Sequence, residues 1–456
     1  MDIEKLVEQQ RNYFDTGATY GYQARIDALK RLEGAFDKYE DDIADALYKD
    51  LHKSKTESIM AEIAMTRAEL GYCRKHLKKW MQKKKVKSNL GNFHSKAFTV
   101  AEPYGVVLVM APWNYPFMLC MEPVIDALAA GNCVILKPSA YAPATSAVLA
   151  KIISGCFSSE YVAVVEGGRE ENTKLLEQRF DYIFFTGGVT VGKKVLESAA
   201  RYVTPVTLEL GGKSPCIVDE TADIPLAAKR IIFGKILNSG QTCVAPDYLL
   251  VQEQVKEQLL EAMKKELHNM LGEKPLENEE YPRMVNKKHF ERVLGLIEGE
   301  KVVVGGYAKE ESLQIAPTIL DEITLESPIM QEEIFGPVLP VVTFREKEEL
   351  LQCIRHFEKP LACYLFTRNP KMEQWALENI SFGGGCINDT IVHLATSEMG
   401  FGGVGQSGMG SYHGKIGFET FSHRKSVLKK YNWIDLPVRY HPYTAWKEKV
   451  IRLVLK

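Results

Sequence analysis

From about residue 98 the chain alternates short apolar runs with helical segments, and this alternation restricts the fold more than any other feature. The first runs are Val106–Met110, Cys133–Leu136, Tyr161–Val165, Tyr182–Phe185, Val206–Leu210 and Cys216–Val218, several of them ending in Gly, Pro or Ser. A strand that is apolar on both faces must be covered on both faces, which parallel strands joined by crossover helices achieve. A second set follows at Tyr248–Val251, Val302–Val304, Val338–Phe344, Ala362–Phe366 and Cys386–Asn388, with helical stretches such as Val255–Leu271 between them. The glycine pair Gly211–Gly212 marks the boundary between the sets. The expected class is α/β, with two doubly wound parallel-sheet domains. Residues 1–80 differ: Leu29, Leu32, Phe36, Ile43 and Leu47 recur at helical spacing, without a strand-like run. A chain of 456 residues allows for a third unit at roughly 150 residues per domain.

Charge and cysteine usage narrow the function classes. Lys plus Arg is 57 and Asp plus Glu 59, a net charge of −2, so the surface as a whole has no electrostatic reason to seek nucleic acid. The one basic run, Arg74 to Lys87, has no groove-reading helix or stacking aromatic set beside it and reads as a solvated helix end entering a surface hairpin. The nine cysteines are odd in number, form no CxxC pair and lie partly in apolar runs, which suits reduced thiols in the cytoplasm. Cys73/His76 and Cys353/His356 have ligand-like spacing, but both lie in helical stretches without knuckle turns, so no metal is expected. The acidic, amphipathic start MDIEKLVEQQ is not a secretory signal. The most apolar stretch, Tyr104 to Leu136, is broken by Pro112, Pro116, Glu122, Pro123 and Asp126, so no transmembrane span of about 20 residues is expected.

Six segments could carry chemistry. Phe185-Thr-Gly-Gly-Val-Thr-Val-Gly192 turns from a strand into a helix, where glycines let a phosphate approach a helix N-terminus; without the spacing of a dinucleotide or P-loop motif, a plain tight turn fits equally well. Glu209 ends a strand, where open α/β sheets bind ligands; in a cleft it could act as a general base, and on an outward face it would do nothing. Cys243, in Asn238-Ser-Gly-Gln-Thr-Cys243, sits in a loop, where a thiolate has the access a nucleophile needs, although a lone cysteine is also compatible with a buried thiol. Asn114, between Pro112 and Pro116 and beside Trp113, could donate to an oxyanion. Lys137-Pro-Ser139 at a strand end and Glu332-Glu333-Ile-Phe335-Gly-Pro337 complete the set.

Together these segments resemble the aldehyde dehydrogenase superfamily over residues 10 to 430, in that family's order: PWN at 112–114, KPS at 137–139, FTG with Gly192, LELGGKSP at 208–215, GQTC at 240–243, EEIFGP at 332–337 and FGGVGQSGMG at 401–410. APWNYP, NSGQTCVAPDY and the tail YHPYTAWKEK look most like the class 3 branch, whose members act on medium-chain, long-chain and aromatic aldehydes and are usually homodimers. The resemblance implies an NAD(P)-binding domain from 1–81 and 100–210, a catalytic domain from 211–419, an oligomerisation arm from 82–99 and 420–430, and a C-terminal tail, 431–456. The strand Ser422–Lys430 would extend a neighbouring subunit's sheet. Cys243 would be the nucleophile, Asn114 and the Cys243 backbone N–H the oxyanion holders, and Glu209 the base that activates water against the thioester. Lys137 and Glu333 would hold the nicotinamide-side ribose, with Phe335 beside them, and Trp113, Gly187, Gly192 and Leu210 would line the cofactor path. Tyr115, Leu119, Phe233, Leu237 and Ile391 resemble the substrate tunnel, and their apolar or aromatic character favours hydrophobic aldehydes.

Where many relatives continue KPS with Glu, this chain has Ala140, which removes a carboxylate that would repel a 2′-phosphate; NADP is therefore expected to serve as well as NAD. The tail from Trp446 to Lys456 is a short basic amphipathic stretch, expected to pack on its own chain or a dimer partner, with peripheral membrane contact as the alternative. Two other functions compete. A CoA-acylating relative needs no water-activating base, which Glu209 argues against. A non-catalytic nucleotide-binding protein has no use for Cys243, Glu209 and Asn114 together.

Overall fold

The computed structural model describes residues 2–454. The apolar runs become two separate sheets. The first has the order Gly408–Met409, Val206–Glu209, Tyr182–Thr186, Val106–Met110, Cys133–Lys137, Val162–Val164, parallel throughout except for the two-residue edge Gly408–Met409. Three of its four inner strands, Tyr182–Thr186, Val106–Met110 and Cys133–Lys137, are buried at every position, as strands covered on both faces must be. In chain order the strands run outward from Val106 to Val164, then cross back to Tyr182. The reversal leaves a crevice between Val106–Met110 and Tyr182–Thr186, at their carboxyl ends, where such sheets take ligands.

The second sheet has seven strands: Lys301–Val304, Thr318–Asp321, Val338–Phe344, Tyr248–Gln252, Pro215–Val218, Ala362–Phe366 and Gly384–Ile387. Lys301–Val304 alone is antiparallel to its neighbour. Cys216–Val218, grouped by sequence with the first set of runs, belongs here instead, so the chain changes sheets between Glu209 and Pro215. Thr318–Asp321 and the two-stranded pair Ala308–Lys309/Gln314–Ile315 were not apparent as runs; these strands are two to four residues long, too short for periodicity to register.

The N-terminal region is helical, as its spacing predicts: Ile3–Asp15, Tyr22–Lys38, Glu40–Leu51, Lys55–Ser58 and Ala64–Trp80, with a π-helical turn Ile59–Ile63 before the last. These helices share one core with the first sheet and with the wholly buried helix Met118–Ala130. A third sheet, Lys84–Val86, Ser95–Pro103 and Ser422–Lys430, stands apart. Ser422–Lys430 pairs along its full length with Ser95–Pro103 of its own chain, so the arm strand runs past residue 99. The tail forms a helix, Ala445–Val454, near the turn Leu90–Asn92, with Trp446 62% and Leu453 78% exposed. The last two residues of the amphipathic stretch lie outside the described residues. No helix among the described residues is long and apolar enough to cross a membrane. The Cys73/His76 and Cys353/His356 pairs are not brought together; Cys73 is buried with the N-terminal helices and Cys353 packs on a separate core.

Candidate active site

Three strand ends of the first sheet meet the nucleophile loop of the second. After Val106–Met110 the chain carries Trp113 and Asn114; after Tyr182–Thr186 comes Gly187, whose N–H donates to the Glu209 carbonyl at 2.9 Å. From the other side comes Leu237–Gly240, entering Cys243. Asn238 and Ser239 hold φ of 49° and 54°, a left-handed backbone that side chains resist and that surrounding bonds must enforce. Asn238 Nδ2 donates to the carbonyls of Asn114 (2.7 Å) and Gln241 (3.1 Å), and its N–H donates to Glu57 Oε1 (2.8 Å). Gly240 is required outright. Its φ is +70°, and a Cβ there would sit 2.2 Å from the Gly336 carbonyl.

The loop separates two cavities, and Cys243 and Leu119 line both. One, of about 160 Å³, has an almost wholly apolar wall; Tyr115, Leu119, Phe233, Leu237 and Ile391, the five positions expected to form the tunnel, all lie on it. Met60, Met65 and Phe401 add to that wall, as does His413, whose Nε2 lies 3.2 Å from Glu122 Oε2. The other, of about 470 Å³, is the crevice at the strand ends, lined among others by Trp113, Asn114, Gly187, Glu209, Leu210, Glu333 and Phe335. Two expected cofactor residues do not line it. Gly192 lies inside the helix Val189–Ala200 and lets it pack on Leu210, since a Cβ would fall 2.6 Å from Leu210 Cδ2. Lys137 donates from Nζ to the carbonyls of Pro138 (2.8 Å) and Gly167 (2.7 Å).

Electrostatics single out two carboxyls. Glu209 is 2% exposed, and neither of its oxygens has a hydrogen-bond partner among the described residues. Burial alone pushes its pKa well above the usual carboxylate range. Glu333 is raised to about 8 by burial and by nearby Asp247, against a hydrogen bond from the Gly212 backbone. A Cβ on Gly211 would lie 2.0 Å from Glu333 Oε2, so the carboxyl occupies the space a side chain would fill. The Cys243 thiol is raised by burial, then by Glu333 and Glu209. Asn114 Nδ2 donates to the Gln241 carbonyl at 3.0 Å, which aligns its amide with the nucleophile loop. A crevice at the switch point, with free carboxyl oxygens, the unpartnered Thr186 Oγ1 and the start of the helix Val189–Ala200, fits a dinucleotide.

A sequence profile of the aldehyde dehydrogenase family matches residues 1–427. The chain is 45% identical to 4,4'-diaponeurosporen-aldehyde dehydrogenase of Staphylococcus aureus, over all of this chain and 99% of that protein. It is 43% identical to the dimeric NADP-preferring aldehyde dehydrogenase of Canis lupus familiaris, over 97% of this chain and 98% of that one. The solved substrate-bound state of Staphylococcus aureus AldH superposes with a TM-score of 0.98 at 45% identity, covering 100% of both chains.

The chain belongs to the aldehyde dehydrogenase family. This aldehyde dehydrogenase oxidises its substrate with NAD or NADP. Several residues that build its site were given no role from the sequence, some of them inside the motifs already named. Lys213 donates to Asp247 (2.6 Å) and to the carbonyls of Ile329 and Glu332, tying down the segment that carries Glu333 and Phe335. Lys53, Glu57 and Glu62 come from the helical N-terminus, where periodicity reports faces and not partners. The late Gly-rich segment covers the strand of Glu209, with Gly408 opposite Glu209 and the Ser407 carbonyl accepting from Leu210 N–H.

Proposed function

We propose that this dehydrogenase converts a hydrophobic aldehyde, medium- or long-chain aliphatic or aromatic, to its acid through a covalent thioester on Cys243. The observation that carries the reading is that Cys243 borders both the apolar tunnel and the polar crevice, so one sulfur faces substrate on one side and a base on the other. The Cys243 thiol gives up its proton to solvent water; the thiolate adds to the carbonyl carbon, and the carbonyl π pair moves to oxygen. Asn114 Nδ2 and the Cys243 N–H hold that oxyanion. A nicotinamide bound in the crevice would supply the hydride acceptor; as the hydride leaves, the oxyanion pair re-forms the carbonyl and the acyl group stays on Cys243 as a thioester. Glu209 then accepts a proton from water, which attacks the thioester and expels the thiolate. Trp113, Gly187, Leu210 and Phe335 hold the cofactor in the crevice, Glu333 and Lys137 take its nicotinamide-side ribose, and Gly192 lets the helix behind the glycine turn pack on Leu210. The domain limits follow the same division: cofactor domain 1–81 and 100–210, catalytic domain 211–419, arm 82–99 and 420–430, with the arm strand continuing to Pro103 into the cofactor domain.

Homodimer formation is supported by two sheet edges without a partner strand among the described residues, Ser422–Lys430 in the arm and Gly384–Ile387 in the second sheet. Nine thiols without a disulfide fit the reducing cytoplasm. The test of the function is a reduced-cofactor assay over an aldehyde panel, without CoA, on wild type and Cys243→Ser. Acid formation by the wild type and its loss in the variant are expected; full activity in Cys243→Ser would overturn the mechanism.

A further inference from the structure

We propose that Lys53, paired with Glu62, is a positioning residue that sets the oxyanion-holding amide of Asn114. The idea rests on the role given to Asn114 above. Both side chains of the pair are completely buried, with Lys53 Nζ 2.5 Å from Glu62 Oε1. An apolar pair of the same volume would pack at least as well, so stability alone does not account for two charges there. Their contacts do.

The segment Pro112–Phe117 lies between a strand and a helix and has no ladder of its own. Its position depends on what grips it. Lys53 Nζ donates to the Asn114 carbonyl at 2.8 Å and lies 3.9 Å from the centre of the Tyr115 ring. Glu62 Oε2 accepts from the N–H groups of Phe117 (2.8 Å) and Met118 (3.1 Å). One ion pair thus holds the segment at both ends, by a carbonyl on one side and two amides on the other.

The grip extends to the nucleophile loop. The Asn114 carbonyl also accepts from Asn238 Nδ2, and Tyr115 OH hydrogen-bonds Thr242 Oγ1 at 2.7 Å, one residue before Cys243. Glu62 lies in the π-helical turn Ile59–Ile63, and its neighbours Met60 and Ala61 line the substrate tunnel. π-Helical turns inside helices recur at functional sites because the extra residue re-aims side chains.

The experiment is a double-mutant cycle on the full chain, with Lys53→Met, Asn114→Ala and both together. Because Lys53→Met leaves a buried carboxylate unpaired and can fail to fold, Lys53→Met/Glu62→Met is measured in parallel, with and without Asn114→Ala. The readouts are kcat and KM for hexanal, per reactive Cys243 as titrated by iodoacetamide, together with thermal unfolding. Removing the pair is expected to lower kcat per site about 10- to 100-fold, with KM for hexanal changed less than about threefold. On top of Asn114→Ala the same substitutions are expected to lower kcat by less than about twofold. An equal fold-loss in both backgrounds overturns the proposal, as does wild-type kcat in Lys53→Met/Glu62→Met. Wild-type kcat in Asn114→Ala alone overturns the role of Asn114 and this proposal with it.

Discussion

Glu209→Gln isolates the hydrolytic half of the reaction. The substitution keeps the shape of a side chain that is 2% exposed and removes only its capacity to take a proton. General-base assistance is typically worth about 10²–10⁴ in rate, roughly 3–5 kcal/mol of barrier. The local geometry leaves nothing to replace it, because the other carboxyls on the crevice are engaged: Glu333 by the Gly212 backbone and Glu332 by Arg292 at 2.8 Å. A fall in kcat of about 10³ is therefore expected, near the middle of that range. Acylation does not use the base, so rapid mixing with aldehyde and cofactor should still release a burst of about one reduced cofactor per Cys243. Mass spectrometry should find the acyl group on the protein after the burst. A second signature comes from burial, which raises the Glu209 pKa. Below that pKa the ionised base is scarce, so wild-type kcat should climb with pH by up to about tenfold per pH unit where hydrolysis limits, and the Gln variant should lose that climb. Wild-type kcat in Glu209→Gln, or a burst followed by unchanged turnover, would refute the assignment of Glu209 as base.

Other expectations follow from single features. With Ala140 after KPS, kcat/KM with NADP should lie within about a hundredfold of that with NAD, the equivalent of about 2.7 kcal/mol; a larger deficit measured in parallel assays removes the argument. Burial raises Glu57 to about 7 from 4.5, so the folded state binds the proton more tightly than the unfolded chain. Stability from this group is full below about pH 4.5 and is lost as pH rises through 7, a change of about 3 kcal/mol. Denaturant titrations at pH 5 and pH 8 should show a smaller drop for Glu57→Gln than for wild type, and equal drops would contradict it. For the tail, truncation after Tyr443 removes the exposed Trp446 and Leu453. Co-sedimentation with phosphatidylserine vesicles should be the same for full-length and truncated protein if the helix packs on protein, and selective pelleting of the full chain would establish membrane contact instead.

Residues 106–210 show where sequence is a strong guide. Parallel strands buried on both faces must be apolar at every position, so a continuous run such as Val106–Met110 announces itself. The same logic fails at Thr318–Asp321 and in the arm. Thr318–Asp321 has four residues, and the arm strand Ser95–Pro103 is half-exposed, so neither has a pattern long or apolar enough to stand out. Cys243, Glu209 and Asn114 stood out because each sits in a short motif of the family that the sequence resembles. Lys53 and Glu62 did not, since their meaning lies in contacts with Asn114 and Phe117 more than fifty residues away.

By itself, the sequence determined that there would be two parallel α/β sheets, and it placed Cys243 in a loop and Glu209 and Asn114 at or just after strand ends. These follow from local physics: burial periodicity, glycine at turns and a thiol in a loop. Only the tertiary structure decided that Cys243 stands on a wall between an apolar tunnel and a polar crevice. It alone gave Lys137 the carbonyls of Pro138 and Gly167 as partners, packed Gly192 on Leu210, and paired the arm strand first with its own chain. Those outcomes depend on which distant segments share a surface, and no local pattern records that.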